Sequence, residues 1–343
     1  MGTTLHTSSQ ATMDHRLFYY FTFILIENVK YVRKRLVWQF LRAQCFSTFY
    51  YFCAMQAIAF YLAYPVLYAI ASLPFWALYK LSDFLYYLFL LSGYRRKVVL
   101  ENLKNSFPEK SEKEIKALSK AYFSYLCDLT LETLKTLRMT EQEARERCAY
   151  QKVDWIGQMY AENKSLVIVL GHYGNWEWAG PSFSLNTNYS LNVIYRPLSN
   201  PYFENMLARA RTKFGTRITP VNQTLREMVA SRNNVTATAF IADQAASTAN
   251  SYWTKFLNQD TVVFNGPEKI AIKFNYPVVY MRIQRVKRGF YELTPELLFS
   301  DPASTSEGEI LEAFTKRLEK DIIKDPVVWL WSHRRWKHKR SRE

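Results

Sequence analysis

Cysteine is scarce in this chain: Cys45, Cys53, Cys127 and Cys148 are the only four in 343 residues. None forms a C-x-x-C pair or stands close to a histidine, which removes the spacings on which zinc sites and disulfide frameworks depend. The expectation is no metal and no organic cofactor. Histidine is nearly as rare, with five in all, and His6 and His15 fall in the first 15 residues. Acidic residues are in the minority, 30 against 45 Lys and Arg, so the formal charge is +15. Such a balance favours anionic partners, whether phospholipid head groups, nucleic acid or an acidic carrier protein. No nucleic-acid-binding motif accompanies the charge, so nucleic acid is set aside. Internal repeats and low-complexity stretches are also missing.

What the chain has in quantity is apolar surface, 49% of residues, with aromatics at 16%. Residues 43–79 hold no charged side chain, and after Lys80 and Asp83 the apolar character continues to Tyr94. About 20 apolar residues suffice to span a bilayer. Pro65 and Pro74 interrupt this region, so a broken helix or a hairpin of two is expected rather than one straight rod. Basic residues flank both sides, Arg33, Lys34, Arg35 and Arg42 before and Arg95, Arg96 and Lys97 after, which leaves orientation open. The apolar stretch starts too late and runs too long for a signal peptide, and a retained anchor over 55–94 is the reading. Residues 1–54 form a tail, or an upstream extension if translation starts at Met55. Residues 95–343 then make the working domain.

Within that domain, Ser111 and Glu114 make a capping box ahead of apolar residues at helical spacing, from Ile115 through Leu129. Ser165–Leu170 reads as a short buried strand that runs into Gly171–Asn175. Further strand candidates lie at Leu191–Tyr195, Val235–Ile241 and Pro277–Ile283. Helices alternate with them: Asn200 and Pro201 open one that Gly215 can end, Pro267 opens another through Phe274, and a third spans Glu307–Lys324. The alternation predicts an α/β fold, a central mixed sheet flanked by helices, with an N-terminal hydrophobic membrane-anchoring helix or helix pair.

Only His172 follows a buried strand. Its setting is Gly171-His172-Tyr173-Gly174-Asn175-Trp176-Glu177, with a carboxylate five positions beyond an imidazole. A neutral imidazole can take the proton of an attacking hydroxyl, and a carboxylate on its other nitrogen fixes the tautomer and steadies the imidazolium. Five positions are roughly 140° apart on a helix, so the pair needs a loop-to-helix join to meet.

Beyond spacing, the chain over about residues 55–337 resembles the bacterial lipid A late-acyltransferase family of the lysophospholipid acyltransferase superfamily. Its H-x4-D/E motif is matched by His172 and Glu177. Gly93-Tyr94-Arg95-Arg96-Lys97, Glu101-Asn102-Leu103 with Phe107-Pro108, Tyr195-Arg196-Pro197-Leu198, Asp243-Gln244, Trp329-Leu330-Trp331 and His333-Arg334-Arg335-Trp336-Lys337 resemble its other blocks in order. The resemblance implies transfer of a fatty acyl group from acyl carrier protein to a hydroxyl of a lipid A precursor, or another anionic glycolipid. It places the enzyme at the bacterial inner membrane among phospholipids, with its catalytic domain facing the cytoplasm.

By the same resemblance His172 is the base, Glu177 its orienting partner, and Arg196 and Asp243 belong to the catalytic group. Asn175 is expected to donate a hydrogen bond to substrate, and Arg334, Arg335 and Lys337 of the basic C-terminal segment to contact anionic lipid or carrier. The plainer alternatives are a turn-capping Asp243, a surface ion-pairing Arg196 and a loop-shaping Asn175. One departure concerns the segment after Asp243-Gln244. Where the family has a glycine-containing loop and a double-aromatic-glycine element, this chain reads Ala245-Ala246-Ser247-Thr248 and later Phe256-Leu257-Asn258, which puts the acceptor or acyl-chain pocket in question. Another lipid acceptor, such as a lysophospholipid or an aminolipid, is the alternative acyl-transfer reading. A non-catalytic lipid-binding protein is the alternative from another class.

Overall fold

Leu166–Leu170, here β2, is buried at every position, as a strand covered on both faces must be. The computed structural model describes residues 54–151, 153–244 and 252–340. Residues 1–53 of the proposed upstream extension and Ala245-Ala246-Ser247-Thr248 lie outside the described residues. In chain order the elements that matter are α1 (Ala54–Ser72), α2 (Phe75–Ser92), α3 (Arg96–Ser106), α4 (Glu112–Lys135), α5 (Glu141–Arg147), β1 (Cys148–Tyr150), α6 (Asp154–Ala161), β2, α7 (Trp176–Asn186) and β3 (Ser190–Tyr195). There follow α8 (Pro201–Thr212), β4 (Arg217–Pro220), α9 (Thr224–Ala230), β5 (Thr236–Ile241), β6 (Tyr252–Phe256), β7 (Gln259–Val263), α10 (Gly266–Phe274), β8 (Val278–Lys287), β9 (Phe290–Phe299) and α11 (Glu309–Lys324).

Seven strands form one mixed sheet in the order β1-β9-β8-β2-β5-β3-β4. β8 and β9 pair antiparallel, and the other neighbours are parallel. Alternation along β2 sends Val167 and Val169 into one core with Tyr125 and Leu129 of α4 and Phe314 and Leu318 of α11. Leu166, Ile168 and Leu170 join the other core with Trp178 and Phe183 of α7. This is the two-faced cover that a largely parallel sheet requires.

Local signals behave as their chemistry dictates. Ser111 Oγ accepts from Glu114 N–H at 3.3 Å while Glu114 accepts from Ser111 N–H at 2.8 Å, closing the capping box on α4. A second box, Thr140 with Glu143, opens α5. Asn200 caps α8, with Pro201 at its first turn and Gly215 (φ +87°) three residues past its end. The turn between β6 and β7 places Leu257 (φ +48°) and Asn258 (φ +65°) in the left-handed region, at the site where the family's glycine-bearing element was expected.

The apolar N-terminal region divides at Pro74 and not at Pro65, through which α1 runs unbroken. Among the described residues α1 is the one helix long and apolar enough to cross a membrane. α2 lies along α4 through a polar seam: Tyr79 Oη donates to Glu132 at 2.8 Å, Ser82 Oγ to Asp128 at 2.7 Å, and Arg288 pairs with both Asp83 (2.7 Å) and Asp128 (2.6 Å). Its other side exposes Trp76, Phe84, Tyr87, Leu88 and Leu91.

Candidate active site

The parallel register that sets Leu170 opposite Ile241 carries the chain two residues further on each strand to His172 and Asp243. Both therefore emerge at the carboxyl ends of adjacent strands, where open α/β sheets place their sites. His172 Nδ1 lies 2.6 Å from Asp243 Oδ1, and the His172 backbone N–H and the Trp329 indole N–H each donate to Asp243 Oδ2 at 2.8 Å. Burial works to raise the Asp243 carboxyl. The adjoining His172 and these hydrogen bonds outweigh it and hold the group below the usual carboxylate range. An ionised carboxylate only accepts, so Nδ1 is the donor of this pair. Gln244 Nε2 rests 3.2 Å from His172 Nε2, and Trp176 meets the imidazole edge-on at 4.9 Å.

The turn bearing His172 is clamped from behind. Leu330 N–H donates to His172 O at 3.1 Å and Gly174 N–H to Val328 O at 3.0 Å, so the Trp329 segment acts as a short partner strand. Tyr125 Oη donates to Gly174 O at 2.5 Å. Gly174 has φ +60°, and a Cβ there would stand 2.7 Å from Ile283 Cγ2, so this position admits glycine alone without strain.

Glu177 takes a different partner from the one its spacing suggested. In the first turn of α7, its carboxylate receives a two-pronged hydrogen bond from Arg211 of α8, at 2.7 and 2.9 Å. Among the described residues no hydrogen bond joins it to His172, whose carboxylate is Asp243 from across the sheet. His172 and Glu177 nevertheless line one cavity of about 850 Å³. At its mouth stand Arg196 and Lys337, both exposed; Arg211, Gln244 and His333 also face it. Its inner end is apolar, running between α7 and the sheet past Ala179, Phe183, Leu191 and Met281.

Three of the residues assigned to substrate binding sit elsewhere. Asn175 is fully buried: its side chain caps α7 by accepting from Trp178 N–H at 3.0 Å and donates to Glu132 at 2.8 Å. Arg335 is buried too, its guanidinium donating at 2.5 Å to Thr261 Oγ1 and at 2.7 Å to Val262 O of β7; burial pushes it down to about 10. Arg334 is exposed and outside the cavity wall. The fold thus uses the Asn175 side chain as a helix cap and draws the Arg335 guanidinium into the β6–β7 hairpin.

Arg211 carried no sequence signal, and Gln244 and His333 stood out only within blocks that resemble the family, with no role assigned. The His333 imidazole is pushed down to about 4 by burial, opposed by Asp243 and reinforced by Arg335 and Arg95; its Nδ1 is buried with no partner among the described residues. Glu132 is the hub beneath the site, accepting from Tyr79, Asn175 and Tyr291, each at 2.8 Å. Among the described residues no group of three His, Cys, Asp or Glu side chains is arranged to hold a metal.

The family model described as bacterial lipid A biosynthesis acyltransferase matches residues 50–338. The chain belongs to that family. It is an acyltransferase of lipid A biosynthesis. Among curated proteins it is 22% identical over 248 residues to the lipid A biosynthesis palmitoleoyltransferase of Escherichia coli K12, covering 71% of this chain and 79% of that one. The lipid A biosynthesis acyltransferase of Shigella flexneri aligns to the same extent.

Proposed function

We propose that this acyltransferase moves a fatty acyl group from an acyl thioester, carried by acyl carrier protein, to a hydroxyl of a lipid A precursor at the cytoplasmic face of the bacterial inner membrane, with α1 as its anchor. The acceptor hydroxyl gives its proton to His172 Nε2 as its oxygen bonds to the thioester carbonyl carbon. The tetrahedral intermediate then expels the sulfur, the C–S bond breaks, and the leaving thiolate takes the proton back from the imidazolium. Asp243 orients the ring and stabilises its charged form. Gln244 brings an amide N–H to the reacting position, where it can meet the developing oxyanion.

Glu177 is assigned a supporting part. Clamped by Arg211, it keeps a carboxylate in the cavity wall without competing with Asp243 for the imidazole. Arg196 and Lys337 at the mouth are suited to the phosphates of the acceptor or the carrier. The apolar inner end, between α7 and the sheet, is suited to the acyl chain.

The observation that carries this reading is the His172–Asp243 pair at the junction of a polar mouth and an apolar slot. The test is mass spectrometry of the lipid formed from purified acyl carrier protein thioester and lipid A precursor. One added acyl group, in ester linkage and absent with His172→Ala, supports it. Acylation of a lysophospholipid in preference to the precursor moves the acceptor, and no acyl product from any donor overturns the reading.

A further inference from the structure

A second cavity of about 380 Å³ opens between the end of α2, the start of α3 and one face of α4, sharing no lining residue with the cavity around His172. That volume falls within the roughly 300–1,000 Å³ range of small-ligand sites. Its floor is apolar, made by Phe89, Leu90, Leu100 and Phe123, and its rim is cationic, made by Arg96, Lys116 and Lys120. Lys116 stands 3.6 Å from Glu112, an acid it shares with Lys104. No carboxylate pairs with Arg96 or Lys120 among the described residues. Beside the opening, α2 leaves Tyr87 and Leu91 exposed, and Tyr94 follows, so the apolar floor continues onto an apolar outer surface.

We infer that this cavity binds one anionic phospholipid, its phosphate between Arg96 and Lys120 and an acyl chain along Phe89, Leu100 and Phe123. An apolar floor under a cationic rim is the complement of an amphiphile with a negative head. A free phosphate gains nothing from the floor, and a zwitterionic lipid brings its own cation to a rim that already holds three. The exposed rings and Leu91 at the mouth place the opening where lipid chains can enter from a bilayer surface. Such a site fixes the working domain on the membrane through α2–α4, independently of α1 and of the chemistry at His172.

The test uses the full chain in neutral detergent micelles containing phosphatidylglycerol or phosphatidylcholine, with retained lipid counted by native mass spectrometry. The wild type is expected to retain one phosphatidylglycerol and to exchange it for phosphatidylcholine poorly. Each Lys or Arg near a membrane surface contributes about fivefold in affinity. Arg96→Ala/Lys120→Ala is therefore expected to bind about 25-fold more weakly, while Lys97→Ala/Lys113→Ala, which removes two cations outside the cavity, leaves retention nearly unchanged. Ser119→Met fills the cavity without altering charge and abolishes retention, with melting temperature checking the fold. Equal retention of the two lipids, equal losses in both double variants, or retention surviving Ser119→Met overturns the inference. So does a loss of acyl carrier protein binding, with lipid retention intact, in Arg96→Ala/Lys120→Ala.

Discussion

The Nδ1 of His172 and the Oδ1 of Asp243 stand 2.6 Å apart, although 71 residues separate them in the chain. Adjacent parallel strands bring them together, and the same contact leaves Glu177 free to pair with Arg211.

That division of carboxylates has a signature in double-variant kinetics. Glu177→Gln and Arg211→Gln break one shared interaction, so each is expected to lower kcat/KM and the double variant to lose little beyond the worse single one. Glu177→Gln combined with Asp243→Asn, by contrast, is expected to give losses that multiply. Multiplicative losses in Glu177→Gln/Arg211→Gln would show that the two residues act separately.

Gly174→Ala tests the clamp on the turn that carries His172. Its positive φ and the close Ile283 contact are expected to destabilise the protein by roughly 1–3 kcal/mol, read as a lower melting temperature. An unchanged melting temperature would show that the turn relaxes freely.

His333 predicts a pH dependence of stability. Its folded value is about 4 against an ordinary 6.5, so between these pH values the unfolded chain binds the proton that the folded chain refuses. Stability from this group is full above about pH 6.5 and falls as pH drops towards 4. His333→Asn is expected to flatten that part of the melting-temperature profile, with the Asp243 and Arg335 neighbours left in place. A profile of unchanged slope would remove His333 as its source.

Acyl-chain length is expected to follow the width of the slot beside α7. Gly180 lines the cavity, and a Cβ there meets Thr216 at an ordinary 3.7 Å, so Gly180→Ala fits. Gly180→Leu extends further and is expected to favour donors shorter by several carbons in competition assays. An unaltered chain preference in a folded variant would place the chain elsewhere.

The sequence made much of this fold legible. The capping box at Ser111, the Asn200-Pro201 helix start and the buried run after Ser165 are local chemistry, and local chemistry survives without tertiary information. The strand-end position of His172 was legible because a histidine ending an apolar strand is conspicuous. Its contact with Asp243 was not, because Glu177 is near in sequence while Asp243 becomes near only through strand register. Nothing local distinguishes Arg211 from Arg209 in the last turn of α8, or marks Glu132 within α4. The apolar run also concealed the seam of Tyr79, Ser82 and Asp83 by which α2 joins α4, because three polar residues scarcely alter a hydrophobic average. The burial of Asn175 and Arg335 was hidden for a related reason: polarity in a motif does not reveal which hydrogen bonds are made within the fold.

The central claim is that Asp243 holds His172 as the base. It is tested most directly by single-turnover acyl transfer from labelled acyl carrier protein, comparing wild type, His172→Ala and Asp243→Asn at matched stability. His172→Ala is expected to slow the chemical step by about 10²–10⁴-fold, the usual range for a lost general base. Asp243→Asn should approach that loss, because an amide no longer fixes the reactive tautomer. A rate for Asp243→Asn close to wild type, with His172→Ala inactive, would contradict the account and return the orienting role to Glu177.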